Sequence, residues 1–418
     1  MSYHEATIHD REKLKSEQFF IDWNSQPSGF KEYPKFFRRF KIENLKDSDF
    51  YRYFGSINHE INYGATKYTL RYIPSAGALY PSELYFQIRD DSVLNDGIYH
   101  FEPKSNSLVS IYALSDDGVE PFLNLPKVKG IVFLVSSNYF RSSWKYRFRS
   151  FRYCLLDAGH QICAVDFSSK LYNREFKYLF DFDKERLNLT FGFFKTEFFL
   201  VAGYSGELEE TKVKPLRENL PTVLATDYFI EKPEIYLAYQ KTLEPKSDKN
   251  SSLVTKNSID KIKLKNAIET RRSIRAFYKK SISKEAFYKI FERVKLSLDS
   301  DLIEEIDIFT IIHRVDGLES GIYENGELKR EGDFRAKAKS LALEQDLASD
   351  CSALFIFTSK AKNYQVGTIL AGVLGHKLYI YSNYEDIFCS GIGAYYDRET
   401  QEFLETKEDI LYFVAIGI

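Results

Sequence analysis

The sequence predicts an α+β protein built from two copies of one unit, on three observations. ELYFQIRDDSVLNDGIYHFEPKSNSL at 83–108 is matched by DIFTIIHRVDGLESGIYENGELKRE at 307–331, each reading as a strand, a loop, a Gly-Ile-Tyr and a turn into another short strand. Apolar strands follow in both, GIVFLVSS at 130–137 and ALFIFTSK at 353–360. Each half then has a long helix ending in Gly-His (Gly159-His160 and Gly375-His376) and closes on a strand ending in glycine, EFFLVAGYSG at 197–206 and ILYFVAIGI at 410–418.

In chain order, residues 1–60 form an N-terminal arm and 61–206 the first copy. Within that copy, RYIPSAGALYPSELYFQI sets prolines around Ser75-Ala76-Gly77-Ala78 and runs into an alternating, strand-like segment. Prolines hold a backbone still, and small residues let it approach something closely. At 147–165, apolar residues at Phe148, Phe151, Leu155, Ala158, Ile162 and Val165 make one helical seam, which puts Lys145 and Tyr146 at its start. Residues 207–258 join the copies. The part at 207–243 has no clear pattern and fits an extended arm crossing from one copy to the other. EPKSDKNSSLVTKNS at 244–258 has linker composition. The second copy, 259–418, opens on a helix with Leu264, Ala267 and Ile268 on one face. Its next helix carries a stripe of Phe287, Ile290, Phe291 and Val294, with Ser283 as cap and Glu285 in the first turn.

The 418 residues favour two domains, or three small ones, over one. A net charge of −2 gives no basic excess for nucleic acid and no acidic tail. No apolar run reaches the roughly 18 residues of a transmembrane helix, and the charged N-terminus lacks a signal region, so a cytoplasmic protein is expected. The 35 Phe and 30 Tyr make large flat rings a main packing material. Cys154, Cys163, Cys351 and Cys389 are scattered in apolar settings without a C-x-x-C pair, which reads as four buried thiols. No histidine-carboxylate cluster suggests a metal, and His160 and His376 read as core or interface residues.

Two further stretches carry chemistry. TRRSIRAF at 270–277 concentrates Arg271, Arg272 and Arg275 beside Ser273, and guanidinium forks match phosphate oxygens in geometry and charge. In WKYRFRSFRY at 144–153, the Lys145 ammonium beside Tyr146 can lower the phenol's pKa and make a proton-transfer pair. Taken singly, the first reads as a solvated basic face and the second as a common dipeptide.

Taken together, Arg-Arg-Ser-x-Arg and the Pro-Ser loop resemble the two halves of the flavin site of the nitroreductase family. The form PSAGALYPSELY is similar to the SagB/ThcOx-type dehydrogenases, as are YHEAT at 3–7, DWNSQPSGFKEYP at 22–34, GIYHFEP at 97–103 and KYRFRSFRYCLLDAGH at 145–160. The resemblance implies tandem FMN-dependent nitroreductase-like domains, each an antiparallel sheet with flanking helices. It further implies oxidation of thiazolines or oxazolines in a ribosomally made peptide to thiazoles or oxazoles. In that family the arginine-serine motif holds the FMN phosphate, and the Pro-Ser loop reaches the ring system from the other subunit of an obligate dimer. A Lys-Tyr pair matching Lys145-Tyr146 is taken as catalytic, and dioxygen is the expected acceptor that reoxidises the flavin.

The departures from that pattern are complementary. The first copy has PSAGALYP but only FFRRFKIENL where an arginine-serine motif belongs. The second has RRSIRAF, but KLSLDSDLIEEIDIF replaces the Pro-Ser loop and AKNYQVGTIL stands where a Lys-Tyr pair would. The expectation is an intrachain pseudo-dimer with one complete FMN site, the internal pair either replacing the usual dimer or dimerising again. Arg271, Arg272, Ser273 and Arg275 would hold the phosphate, with Gly391 and Gly393 letting the backbone come close. Pro74, Ser75, Ala76, Gly77 and Ala78 would line the ring, and Arg71 would either polarise it or be a surface arginine. Expected partners are the peptide and a cyclodehydratase or other modification enzyme. An NAD(P)H-dependent reductase of dehydroalanine, nitro compounds or quinones is the alternative on the same scaffold, and an inactive scaffold in a modification complex is the other.

Overall fold

The computed structural model describes residues 2–16, 20–63, 66–217, 219–243, 259–302, 304–360 and 362–418; the linker expected at 244–258 lies outside them. The chain divides into two compact units, one of Asp22–Val254 with Leu298–Ile303, the other of Met1–Ile21, Thr255–Ser297 and Glu304–Ile418. The residues expected as an N-terminal arm are thus shared, the first of them belonging to the same unit as the C-terminal sheet.

In the Asp22–Val254 unit, seven strands form one sheet: β1 (Arg39–Lys41), β2 (Ser82–Arg89), β3 (Gly97–Glu102), β4 (Ser107–Ala113), β5 (Lys127–Ser137), β6 (Lys177–Leu179) and β7 (Phe198–Glu209). Their order is β1-β4-β3-β2-β5-β7-β6, antiparallel throughout. Central strand β2 is buried along its length even though Ser82, Glu83, Gln87 and Arg89 are polar, and β5 carries a buried apolar run at 131–135. One face packs on a core that includes Tyr85, Val132, Leu134, Phe191 and Phe199. Ser300 pairs with Tyr178 at the sheet's β6 edge. Residues 207–243, for which an extended arm was expected, carry the end of β7 and a helix at Pro233–Lys241 within this unit.

In the other unit, six strands form one sheet: β8 (Asp307–Ile312), β9 (Gly321–Glu324), β10 (Glu327–Glu331), β11 (Ala353–Ser359), β12 (Phe388–Ile392) and β13 (Asp409–Gly417). Their order, β10-β9-β8-β11-β13-β12, is also antiparallel. Each strand holds the place that β4, β3, β2, β5, β7 and β6 hold in the first sheet. Ile311, Leu354, Ile356 and Phe413 build its core.

Five helices matter for the site: α1 (Tyr139–Tyr146), α2 (Ser150–Leu171), α3 (Lys261–Thr270), α4 (Lys284–Lys295) and α5 (Tyr364–Tyr384). Ser283 caps α4 through Ala286, whose N–H donates to its hydroxyl, and Phe287, Ile290, Phe291 and Val294 are buried as their spacing predicts. α2 is buried from Ser150 to Ser169 instead of along one seam, and two of its polar side chains bond to the backbone of residues 50–54: Gln161 donates to the Phe54 carbonyl and Ser168 to that of Phe50. One expectation is corrected here. Lys145 and Tyr146 do not begin the seam helix; they end α1. Arg147, at φ 50° and ψ −136°, breaks the helical path, and a short 3-10 turn then leads into α2. His160 and His376 lie buried in α2 and α5, and all four cysteines are buried and unbridged. No helix among the described residues is long and apolar enough to cross a membrane.

Candidate functional site

The loop after Arg71 is built from unusual backbone. Gly77 (φ 64°), Ala78 (54°) and Tyr80 (46°) all lie in the left-handed region, so the chain turns tightly before β2 begins. Ser75 organises the turn. Its hydroxyl accepts from the Tyr80 N–H (2.9 Å) and donates to Asp157 Oδ2 on α2 (2.5 Å), while the Ala76 N–H donates to Asp157 Oδ1 (3.3 Å). Arg71 is buried, which removes the surface reading. Its guanidinium donates to the Gly29 carbonyl (2.6 Å) and lies 4.3 Å from the Tyr80 ring centroid. Burial lowers its pKa to about 10.

Gly77 brings the Pro-Ser loop and the Lys-Tyr pair together. A Cβ on Gly77 would stand 2.6 Å from the Tyr146 hydroxyl and 3.2 Å from Lys145 Nζ. Both the positive φ and this closeness call for glycine. Lys145 Nζ sits 5.3 Å from the Tyr146 ring centroid and 5.2 Å from that of Trp23, which is itself edge-on to Trp144. Tyr153, from α2, stacks obliquely on Tyr146 at 4.6 Å, and Arg149 Nε donates to its hydroxyl. Lys145, Tyr146, Ser75, Ala76, Gly77 and Ala78 therefore form one cluster, with Pro74 buried at its edge. Sequence reasoning missed Trp23, Tyr153 and Asp157. Asp157 carried no distinguishing signal, since Arg152, His160, Gln161 and Asp166 are polar residues of the same helix. Burial raises Asp157 to about 7, although the Ser75 and Ala76 hydrogen bonds pull the other way.

Arg141, on α1, anchors this region from beneath. It is fully buried and donates to Glu83 Oε1 (2.6 Å) and to the carbonyls of Tyr80, Ser28 and Ala225. Burial alone would raise Glu83, but Arg141, His100 and Lys31 bring it down to about 2.

The arginine-serine motif lies in the unit that contains β8–β13. Arg271 ends α3, is buried, and lies 5.4 Å from the Tyr379 ring centroid. Ser273 pairs with Cys389 on β12, and its hydroxyl hydrogen-bonds the Tyr379 hydroxyl at 2.8 Å, which also accepts from the Gly391 N–H at 2.7 Å. Tyr379, which sequence reasoning passed over, thus joins Ser273 to Gly391. A Cβ on Gly391 would meet the Tyr412 hydroxyl at 2.0 Å, so packing against β13 requires the glycine. Arg272 is half-buried and donates to the Arg271 carbonyl, Arg275 is exposed, and Gly393 is half-buried just beyond β12. Arg271, Arg272 and Arg275 with the Ser273 hydroxyl, on one five-residue stretch next to β12, are donor types suited to a phosphate. No group of His, Cys, Asp or Glu among the described residues is arranged to hold a metal.

No family model matches the chain. A protein of Methanocaldococcus jannaschii described as a candidate nitroreductase is 36% identical over 95 residues, 21% of this chain and 46% of that protein, so the chain spans about half that relative's length. A crystal structure of a candidate nitroreductase from Anabaena variabilis, 22% identical, covers 99% of this chain and 98% of its own with a TM-score of 0.79. The chain therefore has the nitroreductase-like fold of that protein, antiparallel sheets with flanking helices, along its whole length. The E. coli microcin synthetase McbBCD complex with truncated pro-MccB17 bound matches 50% of this chain and 86% of its own, 15% identical, at a TM-score of 0.32.

Proposed function

We propose that the chain is an FMN-dependent oxidoreductase of the nitroreductase type that oxidises azoline rings in a ribosomally made peptide. The observation that carries this reading is the meeting of the Pro-Ser loop with the Lys-Tyr pair at Gly77. Two motifs that stand far apart in the sequence become one half-buried cluster, open at Gly77, with a rigid loop beside a proton-transfer pair.

Aromatising an azoline removes a proton from one ring carbon and a hydride from its neighbour. A bound flavin supplies the hydride acceptor. The chain supplies the rest. Tyr146 or Lys145 takes the carbon-bound proton, each tuning the other across their 5.3 Å spacing. Gly77 has no side chain to cover the Tyr146 hydroxyl or the Lys145 ammonium. Trp23 borders the ammonium, and Trp144 packs edge-on against Trp23. Arg271, Arg272, Ser273 and Arg275 would bind the phosphate, with Gly391 and Gly393 beside it. The Pro74–Ala78 loop would face the ring. Complementary loss of motifs in the two halves supports one FMN that needs both, as in an intrachain pseudo-dimer.

Flavin absorbance after purification is the first test. Bleaching of that absorbance only by an azoline peptide supports the dehydrogenase. Rapid bleaching by NAD(P)H without peptide makes the chain a reductase, and colourless protein that takes up no FMN removes the enzyme reading. Lys145→Ala is expected to keep its flavin and lose turnover by ~10²–10⁴-fold; a variant that stays active overturns the assignment of the base.

A further inference from the structure

We infer that Asp157 is a positioning residue: its carboxylate latches the Pro-Ser loop to α2 and so holds Gly77 against Lys145 and Tyr146. This rests on the functional reading above and goes beyond the loop and the pair that the reading uses.

The geometry is bidentate. One carboxylate oxygen accepts from the Ser75 hydroxyl at 2.5 Å and the other from the Ala76 N–H at 3.3 Å, fixing two consecutive loop residues to one side chain. Ser75 passes the restraint on, because its hydroxyl also accepts from the Tyr80 N–H at 2.9 Å. The latch therefore closes around the three positive-φ residues Gly77, Ala78 and Tyr80, a conformation that costs free energy and persists only where surrounding contacts enforce it.

The duplicated sequence supplies an independent argument. Aligning Gly159-His160 with Gly375-His376 sets Asp157 level with Val373. The half that keeps the Pro-Ser loop has a buried carboxylate at this helix position, and the half that lacks the loop has a buried valine. A carboxylate needed only to fold the helix would have no reason to follow the loop. Burying one is costly, and an apolar residue fills the matching place in the other half.

The test uses the full-length, flavin-loaded protein and the variants Asp157→Val and Asp157→Asn. Amide hydrogen exchange at Ala76 reads the latch without reference to activity. Asp157→Val is expected to speed that exchange at least tenfold and to lower kcat at least tenfold with KM little changed. Asp157→Asn, whose amide oxygen can still accept from Ala76, restores much of both. If Asp157→Val does not fold, Ser75→Ala opens the latch from the loop side and should accelerate the same amide. Unchanged Ala76 exchange in the opened variant overturns the proposal, as does faster exchange with kcat intact. Should the wild type turn over no azoline peptide, the functional reading falls, while the exchange measurement still decides the latch.

Discussion

At Gly77 a single methyl group is expected to matter twice. Alanine there adopts a left-handed conformation costing roughly 1–2 kcal/mol and pushes on the Tyr146 hydroxyl and Lys145 Nζ. Gly77→Ala should lower the urea midpoint modestly and reduce kcat far more than it reduces stability. Equal losses in the two would mean that the contact with the pair has no part in turnover. Asp157 gives a pH signature. Its pKa in the folded protein, about 7, lies above the ordinary carboxyl value of 3.8. Its contribution to stability is therefore fully present below about pH 4 and is lost as pH rises through 7. Asp157→Asn should flatten the fall in melting temperature over that window, and an unchanged slope would assign the pH dependence to another group.

Among the elements, α1 is the one whose disruption should spread. Arg141 ties it to β2 through Glu83 and to three separate backbone carbonyls, all without solvent. Removing one partner of such a pair leaves a buried, uncompensated charge, so Arg141→Met is expected to cost ~3–5 kcal/mol, read from urea denaturation. Glu83 works in the opposite direction to Asp157. Held down at about 2, it stabilises the fold above its ordinary value of 4.5, and this is lost as pH falls towards 2. The elements themselves were largely legible in the sequence, because the apolar run of β5 and the α4 stripe report directly on burial. The break between α1 and α2 was not legible. Arg147 is an ordinary helix former, and only its surroundings force φ to 50° there.

For the whole molecule, the equal strand order of the two sheets accounts for the repeated letters of the sequence. On the proposed reading, each half has kept one part of a flavin site, so purified protein should bind one FMN per chain. An Arg272→Ala, Ser273→Ala double variant should lose most of it. Two FMN per chain, or unchanged flavin content in the variant, would refute the shared site.

The sequence by itself determined the repeated order of strands, most of the helices and the residue types of both motifs, because these depend on local pattern and on composition. Tertiary structure alone decided which distant residues serve them. Asp157 under the Pro-Ser loop, Tyr379 joining Ser273 to Gly391, and Trp23 beside Lys145 leave no local pattern, since each is an ordinary residue until folding sets a partner within hydrogen-bonding or ring-contact distance. The physical reason is that periodicity records which face of an element is buried, whereas a site depends on what that face meets.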